Sequence, residues 1–133
     1  MTEIERGLLH TSVVIDLPTI PAESLPRESA ISAITLAELT AGVAGAKDPV
    51  TRVVRQRHLQ ATEASFDVLP FDPGTARAYG HIDVLVRAVG RSPRARIADL
   101  FIAATAVANN LPLMTRNPKD FVGLDSILTV VAI

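Results

Sequence analysis

The segment RIADLFIAATAVANN, residues 96–110, is the most apolar helical stretch of the chain and decides the predicted fold. A short extended run, Leu113 to Thr115, follows it and predicts a buried strand. The same alternation of strand and helix recurs along the chain, which implies right-handed crossovers between parallel strands. The sequence therefore predicts an α/β protein with a central, mostly parallel sheet and helices on both faces.

Outward from this segment, extended and helical patterns alternate without a linker, so a single domain covering residues 1–133 is predicted. The predicted strands are residues 7–10, 29–32, 66–69, 113–115 and 127–131. The predicted helices are residues 11–17, 34–46, 49–64, 73–89 and 96–110. Asp48-Pro49 and Asp72-Pro73 place an aspartate at the N-cap and a proline at the first helical position. Thr11 or Ser12 is expected to cap the first helix.

The composition excludes several classes of protein. The chain of 133 residues is 48% hydrophobic and 20% charged, which is typical of a globular domain with its own core. It has no cysteine, which excludes a disulfide scaffold, a thiolate zinc site and a cysteine nucleophile. Residues 1–7 contain no apolar run, so no secretory signal is expected, and no segment approaches the roughly 20 residues of a membrane span. We therefore expect a cytoplasmic protein without a membrane partner.

The charge pattern allows nucleic-acid binding only through a local patch, because the net charge is -1. Four arginines lie within ten residues: Arg87, Arg91, Arg94 and Arg96. They either steer a phosphate backbone or form a solvated helix end. Aromatic residues make up 4% of the chain, so recognition would use phosphates and shape instead of base stacking.

Polar residues follow several of the predicted strands, where ligands bind in parallel sheets. His10 ends the first strand, and Asn117 and Asp120 follow the fourth. Glu38 and Asp99 lie near the starts of the helices at 34–46 and 96–110. Carboxylates gathered in one crevice, without cysteine, are the ligand set of Mg²⁺ or Mn²⁺, ions that orient and activate phosphodiesters.

A structural role remains open for each of these carboxylates. Asp99 suits a helix start and is three residues from Arg96, with which it can pair. Glu38 can be a solvated surface residue, and Asp120 can close a turn. Asp16 is expected to be a local cap or surface residue. His58 and His81 lie in helical stretches and are expected on the surface; no histidine pair has metal-ligand spacing.

Four segments of the chain, in the order in which the family has them, resemble the PIN-domain ribonucleases. The resemblance is in particular to the VapC-type toxins of bacterial toxin–antitoxin pairs. The segments are LLHTSVVID (8–16), ITLAEL (34–39), IADLFIAATA (97–106) and LMTRNPKDF (113–121). Each segment alone is weak, but together they cover nearly the whole chain with the family's spacing. The resemblance implies a PIN-like α/β domain that forms homodimers and is neutralised by a small VapB-like antitoxin. It also implies endonucleolytic cleavage of structured RNA, such as transfer or ribosomal RNA, with Mg²⁺ or Mn²⁺.

The resemblance also assigns site residues. Glu38 and Asp99 match two metal-site acids, and the fourth position falls on Asn117 or Asp120; we assign it to both, with Asp120 as the metal ligand. In a competent member these acids and an aspartate at position 10 would hold the ion; water would attack phosphorus in line and the 3′-oxygen would leave, giving a 5′-phosphate. The residues assigned to substrate binding are Thr11, Ser12, Arg94, Arg96, Thr115 and Arg116.

The first site position departs from the family pattern, because His10-Thr11-Ser12 stands where the family has Asp-Thr-Ser. Imidazole suits Mg²⁺ poorly and carries no negative charge. The change was introduced or selected to silence a toxic protein, or the chain is a naturally degenerate toxin, or His10 serves another metal; we favour the first two. Reduced or absent ribonuclease activity is expected. The alternatives are a non-catalytic PIN-fold module that binds antitoxin or RNA, and a nuclease that acts on DNA or in processing.

Overall fold

The computed structural model describes residues 3–133; Met1 and Thr2, which the predicted domain 1–133 and the N-terminal segment 1–7 include, lie outside the described residues. The strands are β1 (Arg6–Leu9), β2 (Glu28–Ser32), β3 (Asp67–Leu69), β4 (Leu113–Thr115) and β5 (Val130–Ala132). The α-helices are α1 (Thr11–Ile15), α2 (Ala33–Ala44), α3 (Pro49–Ser65), α4 (Pro73–Ala88) and α5 (Ile97–Ala108). Short 3₁₀ turns include Pro93–Arg96 and Pro118–Phe121.

The five strands form one sheet in the order β3-β2-β1-β4-β5, and every pairing among the described residues is parallel. Alternate residues of a strand face opposite sides of the sheet. Leu8 accordingly packs in a core with α4 and α5, whereas Leu9 packs in a second core with α1. The predicted α/β architecture, with helices on both faces of a parallel sheet, is confirmed. Within residues 3–133, no helix combines the length and apolar character needed to cross a bilayer.

Two helix starts follow the predicted aspartate–proline pattern. Asp48 accepts from the backbone N–H of Thr51 at 2.8 Å, and Asp72 accepts from that of Thr75 at 2.9 Å. These N–H donors, with the threonine hydroxyls, stabilise the charged carboxylates and lower the pKa of each aspartate. Both caps therefore stabilise their helices in the ionised form.

The first helix start and the last strand differ from the prediction. The N-cap of α1 is His10, and its side chain makes no capping hydrogen bond. Thr11 and Ser12 do not cap the helix, because the Thr11 hydroxyl contacts Thr35 and Glu38 of α2, and the Ser12 hydroxyl contacts His10 and the N–H of Arg116. The last strand begins at Val130 instead of residue 127, because the N–H groups of Ile127 and Leu128 both donate to the Leu124 carbonyl in a turn.

Two helices end in Schellman motifs, in which a residue with positive φ reverses the chain. At the end of α4, Gly90 has φ 79° and the N–H of Arg91 donates to the Val86 carbonyl at 3.1 Å. At the end of α5, Asn110 has φ 53° and the N–H of Leu111 donates to the Ala106 carbonyl at 2.9 Å. The second turn leads directly into β4, and the first fixes the backbone of Arg91.

Candidate active site at the carboxyl ends of β1 and β4

The carboxyl ends of β1 and β4 lie side by side, because Leu9 pairs in parallel with Met114. His10 follows β1, and its backbone N–H donates to the Met114 carbonyl at 2.9 Å. Thr115, the last residue of β4, is fully buried. The sheet therefore fixes the His10 imidazole and the Thr115 hydroxyl side by side at the carboxyl ends of its strands, next to the first turn of α5.

The His10 imidazole is buried and bonded on both sides. Its Nε2 lies 2.7 Å from Oδ1 of Asp99, and its Nδ1 lies 2.8 Å from the Ser12 hydroxyl and 3.1 Å from the Thr115 hydroxyl. A carboxylate only accepts, so Nε2 carries the proton that is donated to Asp99. The Phe121 ring packs at right angles to the imidazole, 5.3 Å between centroids. His10 is therefore held by β4, α5 and the 118–121 turn at once.

Two backbone N–H groups donate to the hydroxyls that face Nδ1 of His10. The N–H of Arg116 donates to the Ser12 hydroxyl at 3.1 Å, and the N–H of Asn117 donates to the Thr115 hydroxyl at 3.0 Å. Each hydroxyl therefore keeps its own proton to donate, and the single lone pair on Nδ1 of His10 accepts from one of the two.

Asp99 and Asp120 share one cation. The nearer Nη of Arg96 lies 3.0 Å from Oδ1 of Asp120 and 3.9 Å from Oδ2 of Asp99. The pairing of Asp99 with Arg96, predicted as an alternative, is thus present but long, and His10 is the closer partner of Asp99. The site combines two shielded carboxylates with one half-exposed guanidinium.

Glu38 joins the site through Thr11. The Thr11 hydroxyl donates to Oε1 of Glu38 at 2.6 Å and lies 2.9 Å from the Thr35 hydroxyl, which ties α1 to α2. Glu38 is exposed and borders a cavity of about 590 Å³ between α1, α2 and α3. Thr35 is a site residue that was not predicted from the sequence, although it lies one helical turn before Glu38 in ITLAEL.

The donor set of this chain does not fit a resident divalent ion in the folded arrangement. Among residues 3–133, no three His, Asp or Glu side chains come close enough together to hold a metal ion. The physical reason is that protein donors already face the acids: His10 donates to Asp99, Arg96 lies between Asp99 and Asp120, and Thr11 donates to Glu38.

The other predicted substrate contacts lie around this cluster. Arg116 is paired with Asp16, 3.5 Å apart, so Asp16 is a surface ion-pair residue and does not cap a helix through its side chain. Arg94 and Asn117 are exposed. In the basic segment, Arg87 donates to Asp83 at 2.6 Å; this contact lowers the pKa of Asp83 and takes Arg87 away from the site.

The two remaining histidines differ in their exposure to solvent. His81 is exposed on α4, as predicted. The prediction that His58 is a surface residue is wrong, because it is half-buried and its Nε2 lies 3.1 Å from the Val14 carbonyl, which accepts its proton. This contact joins α3 to α1.

Comparisons with known proteins agree with the fold. The PIN domain family matches residues 18–125. Ribonuclease VapC5 of Mycobacterium tuberculosis is 35% identical over 93% of this chain and 91% of its own length. A ribonuclease VapC of Rickettsia bellii is 30% identical over 86% of this chain and 87% of its own length.

Chains in solved structures share the fold of this chain. One chain from the VapBC-5 toxin–antitoxin structure of Mycobacterium tuberculosis has a TM-score of 0.82 at 31% identity, covering 97% of this chain and 99% of that chain. A chain of FitAcB from Neisseria gonorrhoeae has a TM-score of 0.75 at 32% identity, covering 93% of this chain and 95% of that chain.

Proposed function

The chain belongs to the PIN-domain family, and on that premise we propose that it is a structured-RNA endonuclease whose activity is attenuated by His10. It is a VapC-type ribonuclease toxin of a toxin–antitoxin pair, a hydrolase of phosphodiester bonds, and its partner is a VapB-like antitoxin. Ribonucleases of this family generally depend on a divalent metal ion. The proposed substrates are transfer or ribosomal RNA, the proposed ion is Mg²⁺ or Mn²⁺, and the proposed state is a cytoplasmic homodimer.

The contact between His10 and Asp99 carries the proposal. A donor 2.7 Å from Oδ1 of Asp99 uses the oxygen that an ion would need, and the imidazole lacks the negative charge that an aspartate would supply. Binding a cation at Asp99 would require this buried network to break. We therefore propose that the native chain binds the ion weakly, and that Glu38, Asp99 and Asp120 hold it when position 10 is aspartate.

The remaining residues of the site would position the RNA. Arg94 is exposed and has no ion pair within residues 3–133, so its guanidinium is free to bind a phosphate. Arg96 would lie between the carboxylates and the approaching strand, and its charge offsets their repulsion of phosphate. Four further residues would fix the geometry of the acids: Thr11, Ser12, Thr115 and Arg116. Arg116 would leave its ion pair with Asp16 to bind the RNA backbone.

Cleavage by the His10→Asp variant tests the proposal. The native chain, H10D and the double variant H10D/D99N are incubated with total RNA and Mg²⁺ or Mn²⁺, with EDTA as the control. We expect discrete, EDTA-sensitive products ending in a 5′-phosphate from H10D, and few or none from the other two. Equal cleavage by the native chain would contradict the attenuating role of His10.

A non-catalytic binding module is the second candidate, favoured by the same saturated contact at Asp99. It predicts that H10D also fails to cut any RNA, while both proteins bind antitoxin tightly. Cleavage assays and antitoxin titrations on the same preparations separate the two candidates.

A further inference from the structure

A basic cavity opens beside the acidic cluster, between the end of α4, the Pro93–Arg96 turn and the Pro118–Phe121 turn. Its volume is about 240 Å³. We propose that this cavity binds a phosphodiester group of the RNA backbone. A neighbouring phosphodiester of the same strand would then lie near Asp99 and Asp120. The proposal rests on the ribonuclease function proposed above and names the residues that would hold the substrate there.

The charge of the cavity favours an anion. Three cationic side chains line it, Arg91, Arg96 and Lys119, and its single acid is Asp120. The Asp120 carboxylate is already paired with Arg96 at 3.0 Å, so the lining carries two uncompensated positive charges. Arg91 and Lys119 are both exposed to solvent, so neither must lose buried contacts to meet a ligand.

Arg91 is held in place before any ligand arrives. The Schellman motif at Gly90 fixes its backbone, and its Nη1 donates to the Lys119 carbonyl at 2.9 Å. A guanidinium has five N–H donors, so the other four stay available for phosphate oxygens. The same contact joins the 90–91 turn to the 118–121 turn, so that Arg91 and Lys119 line the same cavity.

The cavity is continuous with the candidate active site. Arg96 and Asp120 line it, and Arg96 also faces Asp99, which contacts His10. A strand that places one phosphate near Asp99 meets two carboxylates that repel it, and a neighbouring phosphate in the basic cavity offsets that repulsion. The arrangement predicts a contact with the RNA backbone that is independent of base sequence.

Salt-dependent RNA binding tests the proposal. A fluorescein-labelled, single-stranded oligoribonucleotide of mixed sequence is titrated in EDTA with the native chain, K119A and R91A/K119A. We expect R91A/K119A to bind roughly tenfold more weakly, and the slope of log K against log salt to fall by about 0.7, the value for one lost phosphate on a single strand. K119A leaves the Lys119 carbonyl and the turn contact intact, and should show part of the loss.

The matched control is K47A/R57A, which removes the same two charges from exposed positions outside this cavity. A loss in R91A/K119A no larger than in this control would overturn the cavity assignment, and so would a native chain without affinity for RNA. Cleavage by H10D is a separate readout, so it can succeed while the cavity assignment fails. R91K, which keeps the charge but loses the fork, should retain the salt slope with weaker binding.

Discussion

The buried contact between His10 and Asp99 predicts that H10D destabilises the chain in the absence of divalent cations. The side chains of His10 and Asp99 are 6% and 21% exposed, and the donor and acceptor atoms are 2.7 Å apart. The substitution replaces the donor with a second carboxylate at about 4–5 Å, which at an effective dielectric constant of about 20 costs about 3–4 kcal/mol. The lost hydrogen bond to a charged group adds about 1.5–3 kcal/mol.

These costs overlap, since Arg96 and water screen Asp99 and one carboxylate can take up a proton. We therefore expect the free energy of unfolding to fall by about 3–5 kcal/mol at neutral pH in EDTA. A divalent cation between the two carboxylates removes the repulsion in the folded state. At a concentration 100 times its Kd for H10D it restores about 2.7 kcal/mol to H10D and much less to the native chain, which binds it weakly.

Urea unfolding followed by circular dichroism, in EDTA and with saturating Mg²⁺ or Mn²⁺, measures both quantities. H81D is the matched control, because His81 is exposed on α4 and the same substitution there creates no carboxylate pair. If H10D matched the native stability in EDTA, or gained no more from the cation than H81D, the electrostatic reasoning would be refuted.

Two further predictions concern helix ends. N110A should lower the free energy of unfolding by about 1–2 kcal/mol, because alanine is strained at φ 53°, whereas N110G should leave it unchanged or higher; urea titration compares the two. The hydrogen bonds from Thr75 lower the pKa of Asp72, so its cap stabilises the fold fully above the ordinary carboxyl value of 3.8 and is lost as pH falls through the lowered pKa. D72A should therefore be less stable than the native chain at neutral pH and equal to it in strong acid; a constant difference across this range would contradict the assignment.

The elements of the fold could be predicted because their signals are local. Aspartate followed by proline gave the starts of α3 and α4, and alternation of strand and helix gave the parallel sheet. The cap of α1 was wrong because His10-Thr11-Ser12 follows a buried strand, where tertiary contacts take both hydroxyls. The extent of the last strand was wrong because a turn uses the N–H groups of its first residues.

The candidate site could be predicted only as a neighbourhood. The rule that ligands bind beyond the carboxyl ends of parallel strands predicts that His10 and Asp99 can reach one crevice. That Nε2 of His10 donates to Asp99, 89 positions away, depends on side-chain packing that spacing does not encode. The partner of Arg96 shows the same limit: Asp99 is three residues away, yet Asp120, from another segment, is closer.

The hydrogen bond from His10 to Asp99 also bears on whether the chain can fold before it binds a metal ion. With aspartate at this position, the folded chain would carry unbalanced acids until an ion arrived, so folding and metal supply would be coupled. With histidine, the protein supplies its own donor, and the native state can form in a chelator or in a metal-starved cell. The stability of the folded chain would then not depend on the concentration of divalent cations.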